Sequence, residues 1–340
     1  MLLTRRCKTP IFLNNSFLLI SFQMIIFNSI SLSDKEAIDA CLSSNTYRAC
    51  DFCFTNFFVW QAKFKTTFAV EQETLFIRYK DTADEFCYMM PIGKMPLDEA
   101  LSLIISDAEE NGIPFIMKGI TTRMWEDILK VMPDVFQQTH DRDNDEYIYL
   151  SEKLITLKGK KLQSKRNHIN RFKKDNPDWS YFALSSAKDL DECTRMLDEW
   201  EDLNLNKVQE SLRYDYIATK LMLENFDYLK LCGGAIRING KIAAFTIGGP
   251  LTEDTFTTHV EKAYSDINGA YSIINQQFAE HAASKYKYIN REEDMGLDYL
   301  RQAKQSYYPD ILLQEHILTL ITSETSQKSN EHTEYAEITE

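Results

Sequence analysis

The sequence predicts an α+β protein made of two successive mixed sheet-and-helix units, over residues 24–150 and 151–320. Three observations lead there. Helix-period and strand-period segments alternate in a similar order in both halves. Asn239-Gly240 joins two alternating segments and is the strongest hairpin signal in the chain. Finally, 340 residues at 44% hydrophobic suffice for two cores of ordinary size.

The elements follow in order. "MIIFNSISL" reads as a first strand and "SDKEAIDACL" as a helix, with Ser33 and Glu36 spaced as a capping box. "CDFCFTNFFVWQ" is a second helix, and "TTFAVEQ", "TLFIRY" and "EFCYMMPI" are a strand meander. "PLDEALSLIISDAEENG" opens on Pro96 and closes on Gly112, the expected punctuation of a helix. "IPFIMKGI" is a strand, "TRMWEDILKVM" a helix and "DEYIYL" a strand that ends the first unit at Leu150. The second unit opens with a basic helix, then the strand "WSYFALS" and two amphipathic helices, "KDLDECTRMLDEWEDLN" and "YDYIATKLMLENFDYL". The hairpin "GGAIRING"/"KIAAFTIGGPL", the strand "DTFTTHVEKA", the helix "GAYSIINQQFAEHAASKY" and the strand "YKYINREED" follow. "GLDYLRQAKQSYY" is a helix and "ILLQEHILTL" a last strand, before an acidic tail over 321–340 too poor in apolar residues to pack.

Charge is unevenly spread. The chain has 51 acidic and 38 basic residues, a net charge of -13, which excludes non-specific nucleic-acid or membrane binding by the whole surface. Yet Lys153 to Lys174 holds nine Lys or Arg and no acid. Residues 1–23 begin with the basic "LTRRCKTP" and then carry no charge up to Asp34, the outline of a signal or weak anchor. Asn14, Asn15, Ser16, Ser21 and Gln23 interrupt that run, and Met24 offers an alternative start, so an over-extended start is the preferred account. It implies a cytoplasmic protein without stable membrane insertion, whereas a true leader would make it anchored or exported. The seven cysteines are scattered, which suits a reducing compartment. Cys50 and Cys53 form one CxxC among aromatic residues with no second pair at metal spacing, so they read as core thiols and no metal site is expected.

Gly269 and Ala270 open a helix directly after the strand ending at Lys262-Ala263. Free amides and the helix dipole at such a start favour a phosphate, while the glycine alone serves close helix packing equally well. Both accounts stay open at this point.

The stretches "KGKKLQSKRNHINRFKKDNPDW", "INGKIAAFTIGGPL", "HVEKA", "INGAYSIINQQFA" and "YINREEDMGLDYLRQAKQSYYP" together resemble the phosphatidylglycerol lysyltransferase C-terminal domain family, in its soluble branch. "YRACDFCFTNFFVW" and "GIPFIMKGIT" extend the likeness through the first half. The resemblance implies two tandem GNAT-like domains, related to Fem-type transferases, the second being catalytic with a cleft between them. It implies aminoacyl transfer from charged tRNA to an amine or hydroxyl on a small molecule, peptide or lipid headgroup, with no tightly bound cofactor. Of the Q/R-x-x-G-x-G/A pattern of acetyl-CoA enzymes only Gly269 and Ala270 correspond, which favours tRNA over acyl-CoA as donor. A CoA-dependent N-acyltransferase and a non-enzymatic binding module are the alternatives.

Site residues follow from that frame. In the basic helix Leu162, Ile169 and Phe172 share one side, and Lys165 and Arg166 lie beside that stripe rather than opposite it. Cations so placed serve either backbone phosphate of the tRNA acceptor end or acids of the neighbouring domain. Lys165, Arg166 and Arg171 of this helix, with Gly269, Ala270 and Arg291, make the expected donor-binding set. Acyl transfer also needs a proton acceptor, for which Glu261, Glu292 and Asp294 stand near the strand ends. Arg301 and Lys304, three residues apart on the next helix, suit an oxyanion or the donor's terminal adenosine phosphate, and Tyr307 suits a general acid. For each of these, an ordinary ion pair or solvated charge is the competing account. His259 reads as a core residue, and no order or spacing suggests a nucleophilic triad.

Overall fold

The computed structural model describes residues 25–204 and 210–321. The over-extended start or weak leader at 1–23, the alternative start at Met24 and the acidic tail beyond Ile321 lie outside the described residues. In chain order the first strands and helices are β1 (Asn28–Ser29), α1 (Lys35–Leu42), α2 (Phe54–Phe64), β2 (Thr67–Glu71), β3 (Thr74–Lys80), β4 (Phe86–Tyr88) and β5 (Ile92–Gly93). Then come α3 (Leu97–Asn111), β6 (Ile116–Thr121), α4 (Thr122–Val131), β7 (Phe136–His140), β8 (Glu146–Leu150), α5 (Ser151–Thr156), α6 (Gln163–Asp175) and β9 (Ser180–Ala183). The remainder are α7 (Ala187–Asn204), α8 (Glu210–Glu224), β10 (Cys232–Ile238), β11 (Lys241–Pro250), β12 (Thr255–Ala263), α9 (Ala270–His281), β13 (Tyr288–Glu293), α10 (Asp298–Gln305), β14 (Ile311–Leu313) and β15 (Glu315–Leu320).

The two mixed sheets are present as expected, each flanked by helices. The first runs β1-β2-β3-β4-β6-β15-β7 with β5 on β3, and the second β14-β8-β13-β12-β11-β10-β9. Each is antiparallel apart from one parallel pair, β4 with β6 and β12 with β13. In both sheets a single helix, α3 or α9, makes the crossover that a parallel pair requires.

Sheet membership does not follow the expected division at Leu150. β8 lies in the second sheet, paired with β13 and β14, whereas β15 returns to the first between β6 and β7. The segment "ILLQEHILTL" is therefore two strands in different sheets, parted at Gln314. Glu315 N is held there by Asp145 Oδ1 at 3.0 Å, so the chain's two crossings between sheets are tied together. Burial binds the units further. One core joins α2, α3 and the first sheet to α7, α8 and one face of the second sheet, through Met222, Phe245, Ile247 and Val260. A second core, with Phe172, Ile273, Phe278 and Tyr149, packs α5, α6 and α9 on the other face.

Two local expectations shift. A 3₁₀ turn (Leu32–Asp34) precedes α1, so the reciprocal cap pairs Ser31 with Asp34 instead of Ser33 with Glu36, Ser31 N donating to Asp34 Oδ2 at 2.8 Å. The helix expected from Cys50 starts at Phe54 with Cys53 as its N-cap, which leaves Cys50 and Asp51 in a turn. Among the described residues no helix is long and apolar enough to cross a membrane.

Candidate active site

β12 and β13 hold each other only from Thr255–Thr257 against Tyr288–Asn290. Past that point they part, and both carry an extra residue relative to their outer neighbours. Val260 and Thr258 face consecutive residues of β11, so His259 bulges out of β12. On β13, Asn290 and Glu293 face Ile148 and Glu146, which places Arg291 and Glu292 opposite one residue. Glu292 has φ 60, a left-handed conformation that a glutamate adopts only when its surroundings hold it there. Asn290 Oδ1 accepts from Glu292 N at 2.7 Å, and Lys304 Nζ donates to the carbonyls of Arg291, at 2.6 Å, and Glu293. The two bulges meet: His259 Nδ1 and Glu292 Oε1 are 2.9 Å apart.

The bulge turns neighbouring side chains to opposite faces of the second sheet. Glu292 and Glu293 face a cleft of about 520 Å³ between the two sheets. Eight carboxylates line it, Asp51, Asp81 and Glu315 among them, against two lysines, with Phe57, Trp60, Phe64 and Tyr79 as an aromatic wall. At its floor Cys50 N donates to both oxygens of Glu146 at 3.0 Å, and Asn290 Nδ2 donates to the same carboxylate. Burial, then the charge of Glu293 and Glu292, pushes the Asp51 carboxyl up to about 7. Burial likewise lifts Glu146 to about 8, with Asp51 adding, and raises Glu293 and Glu315. The Cys50 thiol is raised by burial and by these acids, and Cys53 to about 12, so neither offers a thiolate. Among the described residues no group of three or more His, Cys, Asp or Glu is arranged to hold a metal ion.

Arg291 faces the other way. Its Nη2 donates to both oxygens of Glu261, at 3.2 and 3.3 Å, and Asn275 Nδ2 of α9 joins the same carboxylate at 3.2 Å. The guanidinium lies 5.1 Å from the ring centroid of Tyr307 and 5.9 Å from that of Tyr149. Lys165 Nζ sits 4.1 Å from the Tyr307 centroid. Burial, then the neighbouring Arg291 charge, lowers the Lys165 ammonium to about 8.

Of the residues selected from the sequence, Lys165, Glu261, Arg291 and Tyr307 thus form one contact cluster, and Glu292 lines the cleft instead. Others have structural roles. Arg166 donates to the Leu157 and Gly159 carbonyls, shaping the loop before α6. Arg171 pairs with Asp175 at 3.3 Å on the exposed flank of that helix. Asp294 is fully buried and clamped by Arg301, Arg142 and Tyr147, and Arg301 Nη2 also donates to Asp143 at 2.7 Å. Lys304 holds the bulge. Gly269 has φ 84, and a Cβ there would stand 2.5 Å from the His168 carbonyl oxygen, so the glycine serves close packing of α9 on α6. Ala270 is buried in that contact.

Sequence reasoning passed over Asp51, Glu146, Glu315 and Trp60, and read His259 as a core residue only. One signal was available, since Asp51 lies inside "ACDFC", where the cysteines drew attention away from the acid between them. Nothing local marks Glu146 or Glu315, which meet only because two strands change sheets.

Known proteins resemble this chain both in sequence and in fold. The family described as phosphatidylglycerol lysyltransferase, C-terminal, matches residues 45–318. The crystal structure of a conserved protein of unknown function from Bacteroides thetaiotaomicron VPI-5482 is 40% identical with a TM-score of 0.82, over 88% of this chain and 100% of that one. Two further structures are similar in fold alone. One is the C-terminal domain of a putative lysylphosphatidylglycerol synthetase from Agrobacterium fabrum, at 13% identity and TM-score 0.61, over 89% of this chain and 96% of that one. The other is L-PGS from Bacillus licheniformis, at 16% and 0.57, over 84% and 91%. An uncharacterised protein of Mycoplasmoides gallisepticum is 24% identical over 182 residues, which span 52% of this chain and 56% of that protein.

Proposed function

The chain belongs to the phosphatidylglycerol lysyltransferase C-terminal family, and from that premise we propose that it moves an aminoacyl group from aminoacyl-tRNA to an amine or hydroxyl acceptor by direct attack, without a covalent enzyme intermediate. One observation supports this above others: the bulge in β13 sends acids to one face of the sheet and a cation to the other. An amine acceptor is cationic before it reacts and an RNA donor is anionic, so separated charge of this kind suits both at one strand gap.

In this reaction the acceptor nitrogen or oxygen attacks the ester carbonyl carbon, and the carbonyl electron pair moves onto oxygen. The Glu292 carboxylate, backed by His259, accepts the nucleophile's proton. When the tetrahedral intermediate collapses, the bond to the donor's ribose oxygen breaks. That oxygen leaves with a proton, which an acid of the same cluster such as Asp51, raised to about 7, is placed to supply near neutral pH.

The test is a donor screen on the full chain, with a pool of charged tRNAs and a set of acyl-CoA thioesters supplied with small amines. Label should pass from tRNA to the amine. Turnover with CoA thioesters alone would replace the donor, and no turnover with any donor would leave the fold as a scaffold.

A further inference from the structure

The cleft that holds Glu292 is rich in acceptors and poor in donors, with eight carboxylates against Lys63 and Lys118. Asn56 lines it at 5% exposure, and its Nδ2 donates to the Cys50 carbonyl at 3.0 Å and to Glu292 Oε1 at 3.5 Å. Those two acceptors fix the amide's orientation, since the reverse would set oxygen against oxygen. Asn56 Oδ1 is then left without a partner beside Glu292. Buried polar atoms are rarely left so, and this one asks for a hydrogen-bond donor. Asp51, next in the chain to Cys50, is enclosed between the sheets but exposed to the cleft. Among the described residues no hydrogen bond or ion pair holds its carboxylate.

A second acid group comes from the β3–β4 and β7–β8 connections. Lys118 pairs there with Asp81 at 2.5 Å, and the Asp141 charge also reaches it. Two carboxylates against one ammonium leave a negative charge over. A row of rings connects the two groups, with centroids 6.3 Å apart for Trp60 and Phe64 and 6.1 Å for Phe64 and Tyr79. Tyr79 stands near both, since burial, then the charges of Cys87, Asp51, Glu315 and Asp81, raises its hydroxyl. This wall already carries one ammonium, Lys63 Nζ, 4.6 Å from the Phe64 centroid and 5.6 Å from that of Trp60.

Acceptors at both ends of an aromatic wall describe the complement of one kind of ligand. A hydroxyl brings one donor and no charge, whereas a primary ammonium brings three donors and a positive charge. An anionic headgroup would be repelled. We propose that the acyl acceptor is a linear aliphatic diamine. Its reacting nitrogen is held by Asn56 Oδ1 beside Glu292, its chain lies along Trp60, Phe64 and Tyr79, and its second ammonium meets Asp81 and Asp141. The role as acceptor rests on the transfer proposed above, but the binding does not. Once the near ammonium has given a proton to solvent, its nitrogen bonds the ester carbonyl carbon and the ester bond to the ribose breaks. The nitrogen's next proton goes to Glu292, and the ribose oxygen leaves with one from the acid cluster.

Calorimetry of the full chain with diamines of three to six carbons, the matching amino alcohols and phosphatidylglycerol vesicles tests this. At least one diamine should bind about tenfold or more tighter than its amino alcohol, and the vesicles should not bind. Asp141→Asn should weaken the diamine by about tenfold and leave the amino alcohol unchanged, a split that a merely structural effect would not produce. Asn56→Ala should weaken both, and Glu126→Gln, exposed on α4, neither. With a pool of charged tRNAs, label should appear on the bound diamine. Binding of no diamine, equal affinity for the amino alcohol, or wild-type diamine affinity in Asp141→Asn overturns the cleft assignment, and transfer to some other acceptor would then leave the activity standing. Binding without acylation from any donor would remove both the acceptor role and the transfer reading, and leave the cleft a diamine site. Inhibited transfer without acylated diamine would make the diamine a stand-in for the transferred group and overturn its role as acceptor.

Discussion

Glu292 and Asp294 stand two residues apart, and the protein uses them oppositely. Asp294 is fully buried with its oxygens taken by Arg301, Tyr147 and the Gly296 amide, so it has nothing left for a substrate. Burial alone would raise its carboxyl, but the Arg301 and Tyr147 bonds hold it below the ordinary value. Asp294→Ala should lower the urea midpoint, since it removes the buried anion around which Arg301, Arg142 and Tyr147 are arranged. Glu292 bonds His259 at the cleft and is held in a strained backbone conformation. Glu292→Gln keeps the shape and should lower kcat for transfer by about 10²–10⁴-fold, with a melting temperature near wild type. Unchanged kcat would remove Glu292 from the reaction. From sequence these two acids are equivalent neighbours of one strand end. What separates them is the bulge, which depends on pairing with β8 and on Lys304.

Among the elements, α9 shows how far local pattern reaches. Its start at Gly269-Ala270 is legible from the strand-turn-helix order, and the element stands where expected. The purpose of the glycine was not legible, because a packing contact and a phosphate cradle ask for the same residue. Its positive φ and the His168 carbonyl 2.5 Å from where a Cβ would be decide for packing against α6. Gly269→Ala should therefore destabilise by about 1–3 kcal/mol, measurable by thermal unfolding. An alanine variant as stable as the parent would mean that α9 and α6 pack less tightly than described. Strand elements were less well bounded. β7 (Phe136–His140) carries "FQQTH", with one buried position, so hydrophobic alternation gives it no signal. "ILLQEHILTL" has too much of that signal to reveal a break at Gln314.

For the molecule as a whole, the two strands that change sheets bring Glu146 and Glu315 to the floor of the cleft beside Asp51 and Glu293. All four carboxyls are raised, by burial first and by one another's charge next. The unfolded chain releases these protons from about pH 4 upward, whereas the folded protein keeps them to about 7 at Asp51 and about 8 at Glu146. Their contribution to stability is thus complete below the unfolded values and is lost as pH rises through the folded ones. Asp254 and Asp294 are held low and behave in reverse, so their contribution fades only below the ordinary aspartate range. Urea midpoints should fall between about pH 5 and pH 8.5, and Glu315→Gln should flatten that decline. A midpoint that rises over the same window would show that the acids are not buried together.

The family, the two mixed sheets and the order of most helices and strands are legible in residue order alone, because these follow from periodicity, turn chemistry and motifs that act over a few neighbouring residues. It also located the basic segment and named Lys165 and Arg291. Folding settles which cations are engaged, since Arg166 and Arg171 differ from Lys165 in what each meets in three dimensions. It alone assembled the acid cleft from Asp51, Glu146, Glu292 and Glu315, residues far apart in the chain. Buried charge is set by distance and solvent in three dimensions, and a one-dimensional pattern carries neither.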